Sequence, residues 1–253
     1  IHNAAFAALG LDWRYEALAV EPDGLRAALA TFTEEGLAGA SVTMPHKVEA
    51  ATLMDTLSED ARRLGAVNTI EVADGLHGHN TDAPGFERFL REDLAYGAEG
   101  RTALLLGAGG AARACVLALG RMGIAEIIVA ARDVARADGL GGLADGARVR
   151  AIPFAEAAAA RPQLIVNATP LGGAGERLPL PDLASVELVV DLTYRPPLTG
   201  LLAAAHATGI AAAGGLGLLL HQGAIAFEIW TGQPAPIEVM SAAAVAALTE
   251  RPA

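Results

Sequence analysis

The chain has 253 residues, enough for two ordinary domains, and its 53% hydrophobic content excludes an intrinsically disordered protein. No apolar run reaches the ~18–20 residues of a membrane helix, no signal peptide is visible, and the net charge of −11 argues against a nucleic-acid partner. The one cysteine, Cys115, cannot form an internal disulfide, so a reducing cytoplasm is expected.

The first half of the chain carries helix and strand signals in mixed order. We expect strands at residues 13–20, 37–42, 65–72 and 76–79. We expect helices at residues 1–9, 22–31, 47–53, 58–64 and 84–93. Ser58 is expected to cap the fourth of these helices. Because the strands are spaced too far apart for simple hairpins, this half is predicted to be α/β.

The second half alternates strands with helices after a linker at residues 98–101. The strands are expected at residues 103–106, 126–131, 151–154, 163–167, 188–192 and 209–213. The helices are expected after residue 110 and at residues 198–208, 217–230 and 237–249, whereas the glycine-rich stretch 137–146 is poorly defined. This alternation is typical of βαβ units.

A glycine-rich turn joins the strand that ends at Leu106 to the helix that begins after Gly110. Gly107, Gly109 and Ala112 occupy the small-residue positions of the G-x-G-x-x-G/A dinucleotide motif. Glycine lets the chain turn tightly and lets a pyrophosphate approach the backbone N–H groups at the helix start. The pattern predicts a nucleotide site, and a plain tight turn is the alternative.

Lys47 and Asp82 are the candidate acid–base pair. Each follows a threonine-containing strand end, in the half of the chain that has no nucleotide motif. A lysine beside a carboxylate in a partly buried cleft can exchange a proton with a substrate hydroxyl or carbonyl. The alternative is a surface lysine and an aspartate that caps the helix around Pro84. His46 is expected to be a solvated residue at a helix start.

Residues 39–47 read GASVTMPHK, which resembles the G-x-N-V-T-x-P-x-K signature of the shikimate dehydrogenase family. The resemblance continues, in the family's order and spacing, through residues 65–69 (GAVNT), 80–82 (NTD), 107–114 (GAGGAARA), 167–172 (NATPLG), 191–196 (DLTYRP) and 214–222 (GGLGLLLHQ). It covers nearly the whole chain. It implies the reversible, NADP-dependent reduction of 3-dehydroshikimate to shikimate, in aromatic amino-acid biosynthesis.

The resemblance also implies an α/β fold with two domains. The substrate-binding and catalytic domain is expected at residues 1–98, the Rossmann-type NADP-binding domain at 99–216, and C-terminal helices that return to the first domain at 217–253. The active site is expected in the cleft between the domains, whose closure brings nicotinamide to the substrate. The expected partner is the small-molecule substrate, with the protein a monomer or a homodimer.

Position by position, the resemblance implies Lys47 and Asp82 as the catalytic residues. Lys47 passes a proton to or from the oxygen at C3, and Asp82 orients Lys47 and binds the neighbouring hydroxyl. The implied substrate contacts are Thr43, Asn68, Tyr194 and Gln222. The implied cofactor contacts are Gly107, Ala108, Gly109, Gly110, Ala111, Arg132, Arg136, Thr169, Leu192 and Gly215. No metal is expected, because His77 and His79 alternate in one strand without a third ligand.

Three features depart from the family pattern. The chain begins just after the usual G-x-P-x-x-H-S-x-S-P segment, so as written it is expected to lack one strand and half of the clamp for the substrate carboxylate. Ser41 replaces the usual asparagine. Asp133 stands between Arg132 and Arg136, where a hydroxyl is usual. Because arginine favours the 2′-phosphate and an acidic residue favours NAD, we expect NADP, with NAD as the alternative cofactor.

Two other functions stay open. A quinate/shikimate dehydrogenase with relaxed use of NAD and NADP would suit Ser41 and Asp133. A nucleotide-binding module without catalysis would suit the missing carboxylate clamp, whereas the intact Lys47 and Asp82 favour an enzyme.

Overall fold

The computed structural model describes residues 1–32, 34–173, 176 and 178–249. The chain divides into two compact units. One comprises Ile1–Gly85 and the described part of Leu220–Pro252, and the other comprises Phe86–Leu219. Residues 250–253, the end of the expected C-terminal segment 217–253, lie outside the described residues. No helix within the described ranges is long and apolar enough to cross a membrane.

Helices and strands alternate along most of the chain. The helices are α1 (His2–Ala8), α2 (Leu25–Thr31), α3 (Lys47–Leu53), α4 (Glu59–Leu64), α5 (Asp82–Arg88), α6 (Gly110–Arg121), α7 (Val134–Asp138), α8 (Gly200–Ala207), α9 (Leu216–Thr231) and α10 (Ile237–Thr249). The strands are β1 (Gly39–Ser41), β2 (Thr56–Leu57), β3 (Thr69–Val72), β4 (Leu76–His79), β5 (Thr102–Leu106), β6 (Glu126–Ala131), β7 (Arg148–Pro153), β8 (Leu164–Asn167), β9 (Leu188–Asp191) and β10 (Ala211–Gly214).

The first unit is built on a four-stranded mixed sheet in the order β1-β3-β4-β2. Strand β3 is antiparallel to β1 and β4, and β2 is parallel to β4. The expectation that this half has no hairpin is wrong, because only residues 73–75 separate β3 from β4 and the Ala73 N–H donates to the Gly75 carbonyl at 3.0 Å. Ser58 caps α4 as predicted, accepting a hydrogen bond from the Ala61 N–H at 3.2 Å.

Residues 13–20, predicted to be a strand, form no regular secondary structure. A side chain takes the place of a neighbouring strand: the Asn3 amide donates to the Tyr15 carbonyl at 2.9 Å and accepts from the Tyr15 N–H at 2.7 Å. Trp13 packs on Phe6, with the ring centroids 5.6 Å apart. Trp13 and Tyr15 therefore serve aromatic packing and not strand pairing.

His2 lies in an aromatic cluster of the first unit, with ring centroids 4.6 Å from Tyr15 and 5.1 Å from Trp230. Burial lowers the pKa of His2 from its ordinary value of 6.5 to about 4. The folded state therefore holds this ring neutral, whereas the unfolded chain protonates it below pH 6.5.

We expect stability to fall as the pH drops from 6.5 towards 4, because only the unfolded state gains the proton there, and to level off below 4. The shift of His2 corresponds to a loss of roughly 3 kcal/mol in the free energy of unfolding. Urea unfolding at pH 7 and pH 5 captures about 2 kcal/mol of this loss, because the titration window extends down to pH 4, and His2→Phe should shrink the difference. His206→Phe, at an exposed helical position, is the control. An equal acid loss in His2→Phe and wild type would contradict the assignment.

The second unit is built on a six-stranded sheet in the order β7-β6-β5-β8-β9-β10, with every pair parallel. The first strand of this unit, β5, lies between β6 and β8, which makes its carboxyl end the switch point where such sheets bind ligands. Its residues Leu104, Leu105 and Leu106 are fully buried, as expected of a strand covered on both faces. The predicted α/β fold with a Rossmann-type parallel sheet is confirmed.

Candidate active site

Lys47 and Asp82 form an ion pair in the first unit. Lys47 is the first residue of α3 and Asp82 is the first residue of α5. Lys47 Nζ lies 2.8 Å from Asp82 Oδ2, and the two side chains are 30% and 18% exposed. The pair is thus partly desolvated but still accessible, so a small molecule can reach the ammonium group.

The Asp82 carboxylate is held from two sides. Its Oδ1 accepts from the Asn68 amide at 2.9 Å while its Oδ2 binds Lys47. The backbone N–H of Asp82 donates to Asn80 Oδ1 at 3.1 Å. The alternative that Asp82 caps its helix does not describe this geometry, because Asp82 lies inside the first turn and both oxygens bind side chains. The carboxylate therefore has one orientation, and it fixes the lysine in turn.

Asn68 connects this pair to the rest of the site. It is 3% exposed, and its Oδ1 accepts from the Thr81 N–H at 2.8 Å and from the Thr69 hydroxyl at 3.0 Å. The Thr81 hydroxyl lies 3.5 Å from Gln222 Oε1. Asn68 thus does more than close a turn.

Four of the predicted side chains are thus connected: Lys47, Asp82 and Asn68 bind one another directly, and Thr81 of the 80–82 motif links Asn68 to Gln222. The other two predicted substrate residues are placed differently. Thr43 is exposed in the turn before α3, where its carbonyl accepts from the His46 N–H at 3.0 Å. Tyr194 belongs to the second unit and is 41% exposed, three residues after the end of β9.

Lys47 is the only lysine in the sequence, in which the other 17 of the 18 basic residues are arginine. Arginine stays protonated in proteins, whereas lysine can release its proton. The one basic position at which this chain has lysine instead of arginine is the position that is paired with Asp82. This signal was present in the composition and could have marked the residue without any motif.

The glycine-rich turn lies at the switch point of the second unit. Gly107 follows β5 with a φ of +105°, and a Cβ there would lie 2.9 Å from Thr169 Cγ2. A Cβ on Gly109 or Gly110 would meet no described atom within 4 Å, so the space over the start of α6 is open. Among the described side chains, none caps α6. Its first N–H groups can therefore bind an anion, as a dinucleotide pyrophosphate requires.

The other predicted cofactor residues lie at the same edge of the sheet. Arg132 directly follows β6, Thr169 lies two residues after β8, Leu192 directly follows β9, and Gly215 directly follows β10. A Cβ on Gly215 would overlap the Leu192 carbonyl, so these two segments touch. Together with the open helix start, this edge has the shape and the N–H donors that fit a dinucleotide.

Comparison with known proteins relates both units to one family. Two family models match the chain, the shikimate dehydrogenase substrate binding domain over residues 1–70 and the shikimate 5′-dehydrogenase C-terminal domain over residues 215–245. Shikimate dehydrogenase (NADP(+)) of Geobacter metallireducens is 41% identical over 260 residues, covering 98% of this chain and 91% of that protein. The chain belongs to the shikimate dehydrogenase family.

Solved structures of shikimate dehydrogenases share the fold. Shikimate 5-dehydrogenase from Thermus thermophilus, in complex with NADP(H) and shikimate, is 38% identical with a TM-score of 0.86, covering 98% of this chain and 93% of that one. The Listeria monocytogenes enzyme, in complex with shikimate and NAD, is 32% identical with a TM-score of 0.88, covering 96% and 90%. The resemblance drawn from the motifs is confirmed.

Asp133, which departs from the shikimate dehydrogenase pattern, has a structural task here. It is the N-cap of α7, and its Oδ1 accepts from the Arg136 N–H at 3.0 Å. Arg132 and Arg136 on either side are exposed. One oxygen of the carboxylate is thus used by the helix, while two guanidinium groups face solvent where a 2′-phosphate could bind them.

Three of the histidines, His46, His77 and His79, have structural partners. His46 is buried, contrary to expectation, and its Nε2 lies 2.9 Å from the Val20 carbonyl. His77 lies between Asp74 and Thr56, at 2.9 and 2.7 Å. His79 Nε2 lies 3.2 Å from a Glu71 oxygen. Among the residues that the structure describes, no group of three His, Cys, Asp or Glu could hold a metal ion.

Proposed function

We propose that this protein interconverts 3-dehydroshikimate and shikimate with NADP(H), as a shikimate dehydrogenase. The observation that carries the proposal is the 2.8 Å contact between Asp82 and Lys47, the only lysine of the chain, in a family whose named members are NADP-dependent shikimate dehydrogenases. A quinate-using enzyme and a non-catalytic nucleotide-binding module are the alternatives that the experiment below separates.

Lys47 acts as the acid–base group. In the direction of reduction its ammonium donates a proton to the carbonyl oxygen at C3 as that oxygen becomes a hydroxyl, and in the direction of oxidation its neutral amine removes the same proton. Asp82 keeps Nζ aimed at the reacting oxygen, because Asn68 fixes the carboxylate that binds it. Bound NADP supplies the hydride acceptor or donor.

The remaining side chains bind the two molecules. Thr43, Asn68, Tyr194 and Gln222 are proposed to hydrogen-bond the hydroxyls of the ring, which their polar groups suit. The glycine-rich turn (residues 107–111), with Thr169, Leu192 and Gly215, is proposed to hold the dinucleotide, and Arg132 and Arg136 its 2′-phosphate. The division into a substrate domain (1–98), an NADP domain (99–216) and C-terminal helices (217–253) is part of this proposal. A cytoplasmic location is also part of this proposal. So is a monomeric or homodimeric state, and light scattering distinguishes a monomer from a homodimer.

Steady-state oxidation of shikimate and of quinate, each with NADP and with NAD, tests the function. Turnover of shikimate with NADP is expected to exceed the other three combinations in kcat/KM. Preferential turnover of quinate, or equal use of NAD, would favour the broader dehydrogenase. Cofactor binding without any turnover would favour the nucleotide-binding module and would overturn the proposal.

Replacing Arg132 with alanine should change the choice of cofactor. Loss of one charge-assisted contact to the 2′-phosphate is expected to raise the KM for NADP by about tenfold and to leave the KM for NAD unchanged. Arg148→Ala, at an exposed strand residue of the same unit, is the control and should alter neither KM. A parallel rise in both KM values would show that Arg132 does not read the 2′-phosphate.

A further inference from the structure

Asp191 is a fully buried carboxylate that the reaction proposed above does not use. It is the last residue of β9 and is 0% exposed. Its Oδ1 accepts from the Asn167 amide and from the Thr193 N–H, both at 3.1 Å, and its Oδ2 accepts from the Thr199 hydroxyl at 2.7 Å. Burying a carboxylate is costly unless donors replace its water, so these three donors make the position specific for an acceptor.

The first donor leads to the segment after β8. Asn167 is fully buried and lies opposite Asp191 in the register of β8 and β9. While its amide nitrogen donates to Asp191, its Oδ1 accepts from the Thr169 N–H at 3.1 Å and from the Thr169 hydroxyl at 2.7 Å. The orientation of Thr169, a proposed cofactor contact, therefore depends on the amide that Asp191 orients.

The other two donors lead to the segment after β9. Thr193 stands between the proposed cofactor residue Leu192 and the proposed substrate residue Tyr194. Thr199 is the N-cap of α8, and its hydroxyl accepts from the Leu202 N–H at 3.3 Å while it donates to Asp191. One carboxylate thus holds both ends of the segment 192–199.

We propose that Asp191 is a positioning residue that fixes the segments 167–171 and 192–199 to each other and so sets the affinity for NADP without touching it. The inference rests on the proposed function, because it takes Thr169 and Leu192 as cofactor contacts. A carboxylate suits the task, since it accepts all three bonds at once, whereas a neutral amide in its place would present one donor to another donor.

Two variants weaken this arrangement at nearly constant volume. Thr199→Val removes the hydroxyl that donates to Asp191, and Asp191→Asn removes one acceptor. Thr199→Ser keeps the hydroxyl and should therefore keep the wild-type affinity for NADP⁺. Thr208→Val is the matched control. Thr208 follows the other end of α8, and its hydroxyl donates to the Ala204 and Ala205 carbonyls and not to Asp191.

Isothermal titration calorimetry of each folded variant with NADP⁺ measures the effect. The dissociation constant is expected to rise about tenfold in Thr199→Val and in Asp191→Asn, and to stay within twofold of wild type in Thr199→Ser and Thr208→Val. A lower melting temperature with an unchanged dissociation constant in both weakened variants would reduce Asp191 to a purely structural residue and overturn the inference. Because calorimetry needs no turnover, a wild-type protein that binds NADP⁺ but does not oxidise shikimate would contradict the proposed function alone.

Discussion

Lys47→Arg is expected to lower kcat for shikimate oxidation by about 10²–10⁴-fold. Arginine keeps a positive charge next to Asp82 and can pair with it, but a guanidinium stays protonated at neutral pH and cannot remove a proton from a hydroxyl. Initial rates at saturating shikimate and NADP, from pH 7 to 9, measure the loss. The circular dichroism spectrum and the melting temperature of Lys47→Arg should stay near those of wild type, since the side chains of Lys47 and Asp82 are partly exposed.

The comparison with Lys47→Met separates proton transfer from charge. If Lys47 acts by its proton, both variants lose activity to a similar extent, because neither can exchange one. If it acts only by its charge, Lys47→Arg keeps most of the activity and Lys47→Met loses it. A Lys47→Arg enzyme with more than a tenth of the wild-type kcat would therefore contradict the acid–base role.

Gly109→Val is expected to weaken NADP⁺ binding by at least about tenfold while leaving the fold intact. Gly109 has a φ of −83° and a ψ of −168°, which valine adopts, and a Cβ there would meet no described atom within 4 Å. The added side chain would instead fill the open space over the first N–H groups of α6, where the pyrophosphate is proposed to bind. Calorimetric titration with NADP⁺ measures the effect.

Gly141→Val is the matched control, because a Cβ there also meets no atom of the described residues within 4 Å and the residue lies in a 3-10 turn away from the switch point. It should bind NADP⁺ like wild type. Tight NADP⁺ binding by Gly109→Val, with an unchanged melting temperature, would place the cofactor elsewhere. Weak binding with a lowered melting temperature would mean that the substitution harms the fold. Gly110→Ala, at a second open position, would then test whether a side chain at the start of α6 weakens NADP⁺ binding in a folded protein.

The elements predicted with exact bounds are those whose signals are local. The helix of residues 47–53 follows a proline turn, the strand of 76–79 follows Gly75, and the strand of 126–131 is an apolar run after its first residue, Glu126. The glycine-rich turn was also readable, because a strand and a helix flank it and glycine is required by a φ of +105° at Gly107. In such places neighbouring residues alone determine the backbone.

The failures arise where a distant residue decides. Residues 13–20 have a strand pattern, yet the Asn3 side chain supplies the pairing groups and the segment stays irregular. His46 is polar and begins a helix, yet it is buried because the Val20 carbonyl lies against it. From the sequence, Asp133 bears only on cofactor choice, whereas in the structure its carboxylate accepts from the Arg136 N–H and caps α7.

The sequence by itself determined the family, the parallel sheet with its glycine turn, and Lys47 and Asp82 as the residues to test, because residue types and spacing are preserved in the linear chain. Only the tertiary structure decided that Asn68 orients Asp82, and that Asp191 joins the segments after β8 and β9. Such bonds depend on angles and distances of about 3 Å between residues far apart in the chain, and no local pattern encodes them.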